Sequence, residues 1–304
     1  MTGPDSVSAI PCKGGQLVVS PLRGGRLRME IKADDPGLFI PIRTWDTQLP
    51  LDILEGLAAR MEFAWLCDHV ARLESPDYVA GPLRRELFSY FDWGAFAGKR
   101  MLDFGCGIGA SSIIMAEWLP ELQIVGAELD SDKVDLARRI AGHKRLSNVS
   151  FYVSPDPGSL PAEVGQVDFI MLSAVYEHLL PNERKSLMPL LWKQLKPGGT
   201  IFINQTPFRW FPYEHHTTGL LGINYLPDWL ACHVARNYSK FSKQANSALD
   251  WQGLLRRGIR GGTEPEMLRN LQRNSQQRGT ILQPTQNGLR DRADLWLSAT
   301  SSRH

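Results

Sequence analysis

The run Met101-Leu-Asp-Phe-Gly-Cys-Gly-Ile-Gly109 holds the residues best suited to chemistry. An apolar stretch, Arg100–Phe104, ends in glycines at 105, 107 and 109, and a helical stretch starts at once. Glycines so spaced permit a tight turn and let a ligand lie against the backbone. The N–H groups of the new helix start then point toward that ligand. At the carboxyl end of a parallel strand this is the architecture of a nucleotide-type site. Two carboxylates frame it. Glu128 closes the next strand-like segment, 23 positions after Gly105, where a carboxylate can accept hydrogen bonds from ribose hydroxyls. Asp103 stands where dinucleotide sites usually carry an apolar residue, and it suits a ligand with a positive end, such as an ammonium or a sulfonium. Gly105-x-Gly107-x-x-Ala110 also satisfies the dinucleotide fingerprint, so a nicotinamide-dependent oxidoreductase stands as the alternative.

A second group of reactive side chains lies downstream. The run from Asn204 to Gly219 mixes aromatics with Tyr213, Glu214, His215 and His216, candidates for acceptor binding or proton removal. His178, after a nearly all-apolar segment, is a further candidate with either a catalytic or a loop-holding role. Adjacent side chains such as Glu214, His215 and His216 rarely converge on one ion without a distant third ligand, so no metal site is expected.

The elements that must position these residues fall into three zones. Residues 1–95 open with strand-like pieces at Gln16–Ser20 and Arg26–Ile31. Apolar residues at helical spacing then predict one helix over 51–74, and a second runs from Pro82 to Phe91. From 96 to 205 strands and helices alternate. Strands are expected at Arg100–Phe104, Gln123–Glu128, Val149–Ser154, Val167–Ser173 and Thr200–Asn204. Helices are expected at Ile108–Trp118, Ser131–Ala141 and Asn182–Leu195. That rhythm implies a parallel sheet with crossover helices. The third zone breaks it, with helices at Asp228–Asn237 and Pro265–Gln276 and weak strand candidates at Thr280–Leu282 and Asp294–Ser298. The stretch 206–262 exceeds an ordinary connection, and insertions of that length serve as lids or binding loops. With the N-terminal helices it is read as a cap over the reacting group.

The motifs LDFGCGIG, GAELD, VDFIMLSAVYEHL and LKPGGTIFI, in this order and spacing, resemble the class I S-adenosylmethionine-dependent methyltransferases over residues 96–205. The resemblance implies an α/β, Rossmann-like sheet of seven mostly parallel strands with helices on both faces. To that sheet are added the N-terminal extension (1–95) and the insertion after strand five (206–262 within 96–304). It implies S-adenosyl-L-methionine as cofactor. The loop Gly105, Cys106, Gly107 and Gly109 would hold its methionine part, with Ser173 and Ala174 lining the same side. Asp103 would orient its amino group, Glu128 would bind the ribose hydroxyls, and Leu129 would pack on adenine. Asp156 is the candidate partner of the adenine amino group, although Pro155 and Pro157 disturb the usual loop. Asp130 reads as the cap of the helix that begins at Ser131. The function implied is methyl transfer to an O, N or C nucleophile of a small-molecule, sugar or lipid-linked acceptor. A non-catalytic binder of the same fold is the remaining alternative, against which the glycine loop stands intact.

Composition narrows the partners. A hydrophobic fraction of 43% supports a sizeable core, and a formal net charge of +2 gives no case for nucleic acid. The four cysteines show no metal-ligand spacing and fit a reducing, cytoplasmic setting. No apolar run reaches the length of a membrane span, and Met1–Ile10 lacks the pattern of a secretory leader. Oligomeric state is not readable from the sequence.

Overall fold

Leu17, Val19, Met29 and Ile31 alternate with other residues at the period of a strand with one buried face. The computed structural model of the protein, which describes residues 7–241, 246–273 and 279–282, turns that alternation into a four-stranded antiparallel sheet. Its strands β1 (Ser8–Cys12), β2 (Gly15–Pro21), β3 (Leu27–Ala33) and β4 (Thr44–Thr47) pair in sequence order. Leu17 faces Ile31 and Val19 faces Met29 across the ladder, and all four are buried.

Two helices follow, α1 (Leu51–Arg60) and α2 (Leu66–Glu74), where periodicity predicts one. The break at Met61–Trp65 has no local cause, since the segment holds neither glycine nor proline. Its cause is tertiary. Phe63 packs into the turn between β1 and β2, so close that a Cβ on Gly15 would stand 2.7 Å from the ring. Glu74 then ties α2 to the end of β4, accepting from Trp45 Nε1 at 2.9 Å, Thr47 Oγ1 at 2.8 Å and the Gln48 N–H at 3.0 Å. Helix α3 spans Gly81–Phe88, shorter than expected.

From Arg100 the chain alternates as β5 (Arg100–Phe104), α4 (Ala110–Trp118), β6 (Gln123–Glu128), α5 (Ser131–His143), β7 (Val149–Val153), β8 (Val167–Ser173), α6 (Pro181–Gln194) and β9 (Leu195–Asn204). The architecture is α/β and Rossmann-like, and these strands pair in parallel, β6 with β7, β5 with β8 and β8 with β9. The Pro197-Gly-Gly199 turn is absorbed into β9 as an irregularity. Gly198 takes a left-handed φ of 80°, and the pairing with β8 shifts register between Val167 and Phe169.

The described chain forms two compact units. In one, the residues up to Gly98 join Cys106–Val153. Leu54, Leu57 and Val70 share a core there with Ile113, Leu136 and Ile140. Helix α1 approaches α5 so closely that a Cβ on Gly56 would lie 3.1 Å from Leu136 Cδ2. Around that contact Arg139 donates to the Asp52 carbonyl at 2.7 Å and to its carboxylate at 2.9 Å. The apolar faces of α1 and α2 are therefore turned into this core.

The other unit comprises Lys99–Gly105 and the described residues from Ser154 to Leu282. After β9 it carries a hairpin, β10 (Tyr213–Glu214) with β11 (Leu220–Leu221), then α7 (Asp228–Tyr238), α8 (Trp251–Arg256) and α9 (Glu264–Leu271). The insertion is closed at its base. Gly262 donates to the Pro207 carbonyl at 3.0 Å, and Arg209 donates back to Gly262 at 2.9 Å. It has a core of its own in Ile223, Ala231, Ala235, Leu254 and Ile259. Buried Tyr176 joins α9 to α6: its hydroxyl donates to Glu266 Oε1 at 3.1 Å, Asn270 donates to it at 3.2 Å, and Arg184 lies 4.5 Å over its ring. Thr280–Leu282 pairs with no strand among the described residues, a correction to the sequence reading. The Gln272 side chain holds the adjacent Gly279 carbonyl at 3.1 Å instead. Asp294–Ser298 and residues 274–278 lie outside the described residues.

Candidate active site

The glycine loop is shaped by the carboxylate at the end of β6. Glu128 Oε2 accepts from the Gly107 N–H at 3.0 Å, and Oε1 accepts from the Leu129 and Asp130 N–H groups at 2.8 and 3.3 Å. Gly109, at φ 84°, opens α4 without a side-chain cap. A Cβ there would come within 2.7 Å of the Phe151 ring. Gly107, at φ 56°, differs: a Cβ on it would meet nothing within 4 Å. So Gly109 is required by packing, whereas Gly107 presents bare backbone. The Cys106 Sγ packs toward Gly126, where a Cβ would stand 2.9 Å from it. Leu129 is exposed. Asp130 caps α5 as expected, accepting from the N–H groups of Asp132 and Lys133.

In the other unit, Asp103 is buried near the end of β5, opposite Met171 of β8. Gly105, at φ 70°, lies under Val175, which a Cβ would approach to 2.8 Å. Strands β8 and β9 end side by side, Ser173 opposite Asn204, and each is followed by a non-glycine residue in the left-handed region, Ala174 at φ 53° and Gln205 at φ 58°. Such backbone strain gathers at functional sites, and no residue type in the sequence announces it here. Asp156 is exposed and engaged in its own turn. Ser159 Oγ and the Gly158 N–H both donate to it at 2.7 Å and hold its carboxyl below the usual range.

Of the four candidate catalytic residues, two come together. His178 and His216 face each other with ring centroids 5.4 Å apart, and Glu177 lies between them. Glu177 Oε1 is 3.8 Å from His178 Nε2 and 4.0 Å from His216 Nε2. The other oxygen, Oε2, accepts from Thr206 Oγ1 at 2.9 Å. His178 Nδ1 lies 2.8 Å from the Arg256 carbonyl, and His216 Nδ1 lies 3.0 Å from that of Arg257. Burial pushes the His216 imidazole below its ordinary value, against the pull of the Glu177 carboxylate. Tyr213 and His215 are not in this cluster; they line a narrow cleft with Phe211 and Arg260, and the His215 ring stands edge-on to Phe211. Glu214 is corrected to a structural role. Its oxygens accept the N–H groups of His216, Thr217 and Thr218 and the Thr218 hydroxyl, all within 2.8 Å. Sequence reasoning passed over Glu177 and Thr206, although Glu177 adjoins the singled-out histidine.

Residues 101–199 match the family described as "Methyltransferase domain". Among curated relatives, the ubiquinone biosynthesis O-methyltransferase of Bordetella avium is 28% identical over 225 residues, covering 70% of this chain and 83% of its own. The carboxy-S-adenosyl-L-methionine synthase of Shewanella loihica is 25% identical, over 47% of this chain and 65% of its own. The O-methyltransferase of a Brevibacillus brevis polyketide synthase, solved with S-adenosyl-L-homocysteine, is 21% identical with a TM-score of 0.36, over 44% of this chain and 46% of its own. Residues 101–199 are thus a methyltransferase domain of the class that uses S-adenosylmethionine. The chain spans only 42% and 20% of two uncharacterised relatives, from Rickettsia prowazekii and Synechocystis. None of the three named relatives is described as a nicotinamide-dependent enzyme. No helix among the described residues is long and apolar enough to cross a membrane.

Proposed function

We propose that the whole protein transfers a methyl group from S-adenosyl-L-methionine to a small-molecule, sugar or lipid-linked acceptor. The observation that carries this reading is the bare backbone of Gly107, pinned by Glu128 in the turn that precedes α4. A loop so held lets a ligand approach the chain closely. In this reading Gly105, Cys106, Gly107 and Gly109 hold the methionine part, with Ser173 on the same side. Asp103 orients the amino group, Glu128 meets the ribose, exposed Leu129 covers adenine, and Asp156 remains the candidate for the adenine amino group. Bound there, the cofactor supplies an activated methyl carbon. The protein's own task is to align the acceptor's nucleophile and, where that is a hydroxyl, to take its proton. His178, His216, Tyr213 and His215 are the groups proposed for that task, and the 206–262 insertion is proposed to shape acceptor choice.

The test is calorimetric titration of the full chain with S-adenosylmethionine, S-adenosylhomocysteine and NADH. Saturable binding of the first two, lost in a folded Asp103→Ala variant, is the expected result. Binding of NADH alone overturns the reading. Methyl transfer to a panel of hydroxylated small molecules then addresses the acceptor.

A further inference from the structure

Two observations around Glu177 belong together. Its side chain is 0% exposed, and Oε1 has no hydrogen-bond donor. A buried carboxylate oxygen without a partner is costly. Both histidines turn Nδ1 to a backbone carbonyl, which can only accept, so Nδ1 carries the hydrogen in each ring. That leaves the Nε2 lone pair of each ring aimed at the same carboxylate oxygen. With the rings neutral, three electron-rich atoms, all within 4.8 Å of one another, converge.

We propose that Glu177, His178 and His216 form a binding site for a divalent first-row transition cation such as Zn2+, Mn2+ or Fe2+. Two imidazoles and one carboxylate are the donor set these ions take. Metal–ligand bonds of about 2.0–2.1 Å put neighbouring ligand atoms roughly 3.3–3.6 Å apart at angles between tetrahedral and trigonal, so the 3.8 and 4.0 Å separations must contract by a few tenths of an ångström on binding. The surroundings orient the ligands as metal sites require. The carbonyls of Arg256 and Arg257 fix the ring tautomers, and Thr206 holds the other Glu177 oxygen. Gly258, at φ 86°, makes space for the packing, since a Cβ there would come within 2.8 Å of the His216 ring and 3.1 Å of Glu177 Cγ. The side chains of His178 and His216 are 40% and 29% exposed. The ion is therefore reached from the histidine side and keeps coordination positions open there. If the methyl-transfer reading holds, those positions suit an acceptor oxygen, whose proton the cation would make easier to remove; His178 and His216, their Nε2 lone pairs then on the ion, align the acceptor rather than take its proton.

The test uses tag-free full-length protein, stripped with a chelator and titrated with Co2+, Zn2+ and Mn2+, with the visible absorption of bound Co2+ as the readout. Roughly one ion per chain is expected, with absorption typical of mixed nitrogen and oxygen ligands. His216→Ala and His178→Gln, each checked for folding by circular dichroism, should weaken binding at least about tenfold. Glu177→Gln should do the same, and the exposed His178 position guards against a misfolded result there. Absence of binding by all three ions overturns the site, as does unchanged affinity in the folded His178 and His216 variants. Titrating S-adenosylmethionine into the stripped protein separates this failure from failure of the methyl-transfer reading.

Discussion

Gly107 and Gly109 differ by two positions, yet replacing each by alanine should fail in different ways. Both sit in the left-handed region, at φ 56° and 84°, so either substitution costs about 1–2 kcal/mol of backbone strain. Gly109→Ala adds a second cost, because the new Cβ falls 2.7 Å from the Phe151 ring, an overlap worth about 1–3 kcal/mol. Its total loss of stability is about 2–5 kcal/mol. Gly107→Ala meets no atom of the protein and should lose only the first part. If the cofactor lies against that backbone, the same methyl group obstructs the ligand instead, weakening binding by about 1–3 kcal/mol, roughly 5- to 150-fold. Urea denaturation measures the first quantity and calorimetry with S-adenosylmethionine the second. A double-mutant cycle with Phe151→Leu should show coupling of about 1–3 kcal/mol for Gly109→Ala. Wild-type cofactor affinity in Gly107→Ala, or no coupling in the cycle, refutes the reasoning.

Other outcomes follow from the same structure. Glu128→Gln keeps the shape of the side chain but replaces an acceptor oxygen with a donor, losing one or more of three N–H contacts. It should cost about 1–3 kcal/mol by urea denaturation and weaken cofactor binding roughly tenfold. Burial lowers the His69 imidazole to about 4 from the ordinary 6.5. The unfolded chain therefore takes up that proton first, so the stability His69 contributes is whole above pH 6.5 and drains away as pH falls toward 4. Allowing for its partial exposure, the loss is about 2 kcal/mol, and His69→Gln should flatten that part of a pH series of urea midpoints. A chain trimmed to residues 101–199 strips Leu54, Leu57 and Val70 from Leu136 and Ile140, and size-exclusion chromatography should find it aggregated rather than a folded monomer.

The alternation of strands and helices from Arg100 to Asn204 was legible because each segment carries its own periodicity and its own stop signals. The cap at Asp130 was legible for the same reason, since capping is local chemistry. The break between α1 and α2 was not, because its cause is Phe63 meeting a hairpin turn nearly fifty residues earlier. The extent of the N-terminal sheet was understated, as β1 carries a proline and a single strong β-former and β4 is only four residues long, so both gain their definition from their neighbours. At the site, the glycine loop and Glu128 could be read from spacing. The convergence of Glu177 with His216 could not, since thirty-nine positions and a folded insertion separate them in the chain. Glu214, adjacent to the histidines, misled the sequence reading because its role is fixed by backbone N–H groups that carry no sequence signature.

The close approach of Gly56 to Leu136 has a consequence during synthesis. Those residues are 80 positions apart, so at about 5–20 residues per second the ribosome delivers α5 roughly 4–16 s after α1. Through that interval the sheet β1–β4 and the helices beside it emerge with an apolar face whose partner does not yet exist. Slowing translation between Arg60 and Ser131 lengthens the exposure, and a chaperone that shields nascent apolar surface has its longest opportunity on this segment.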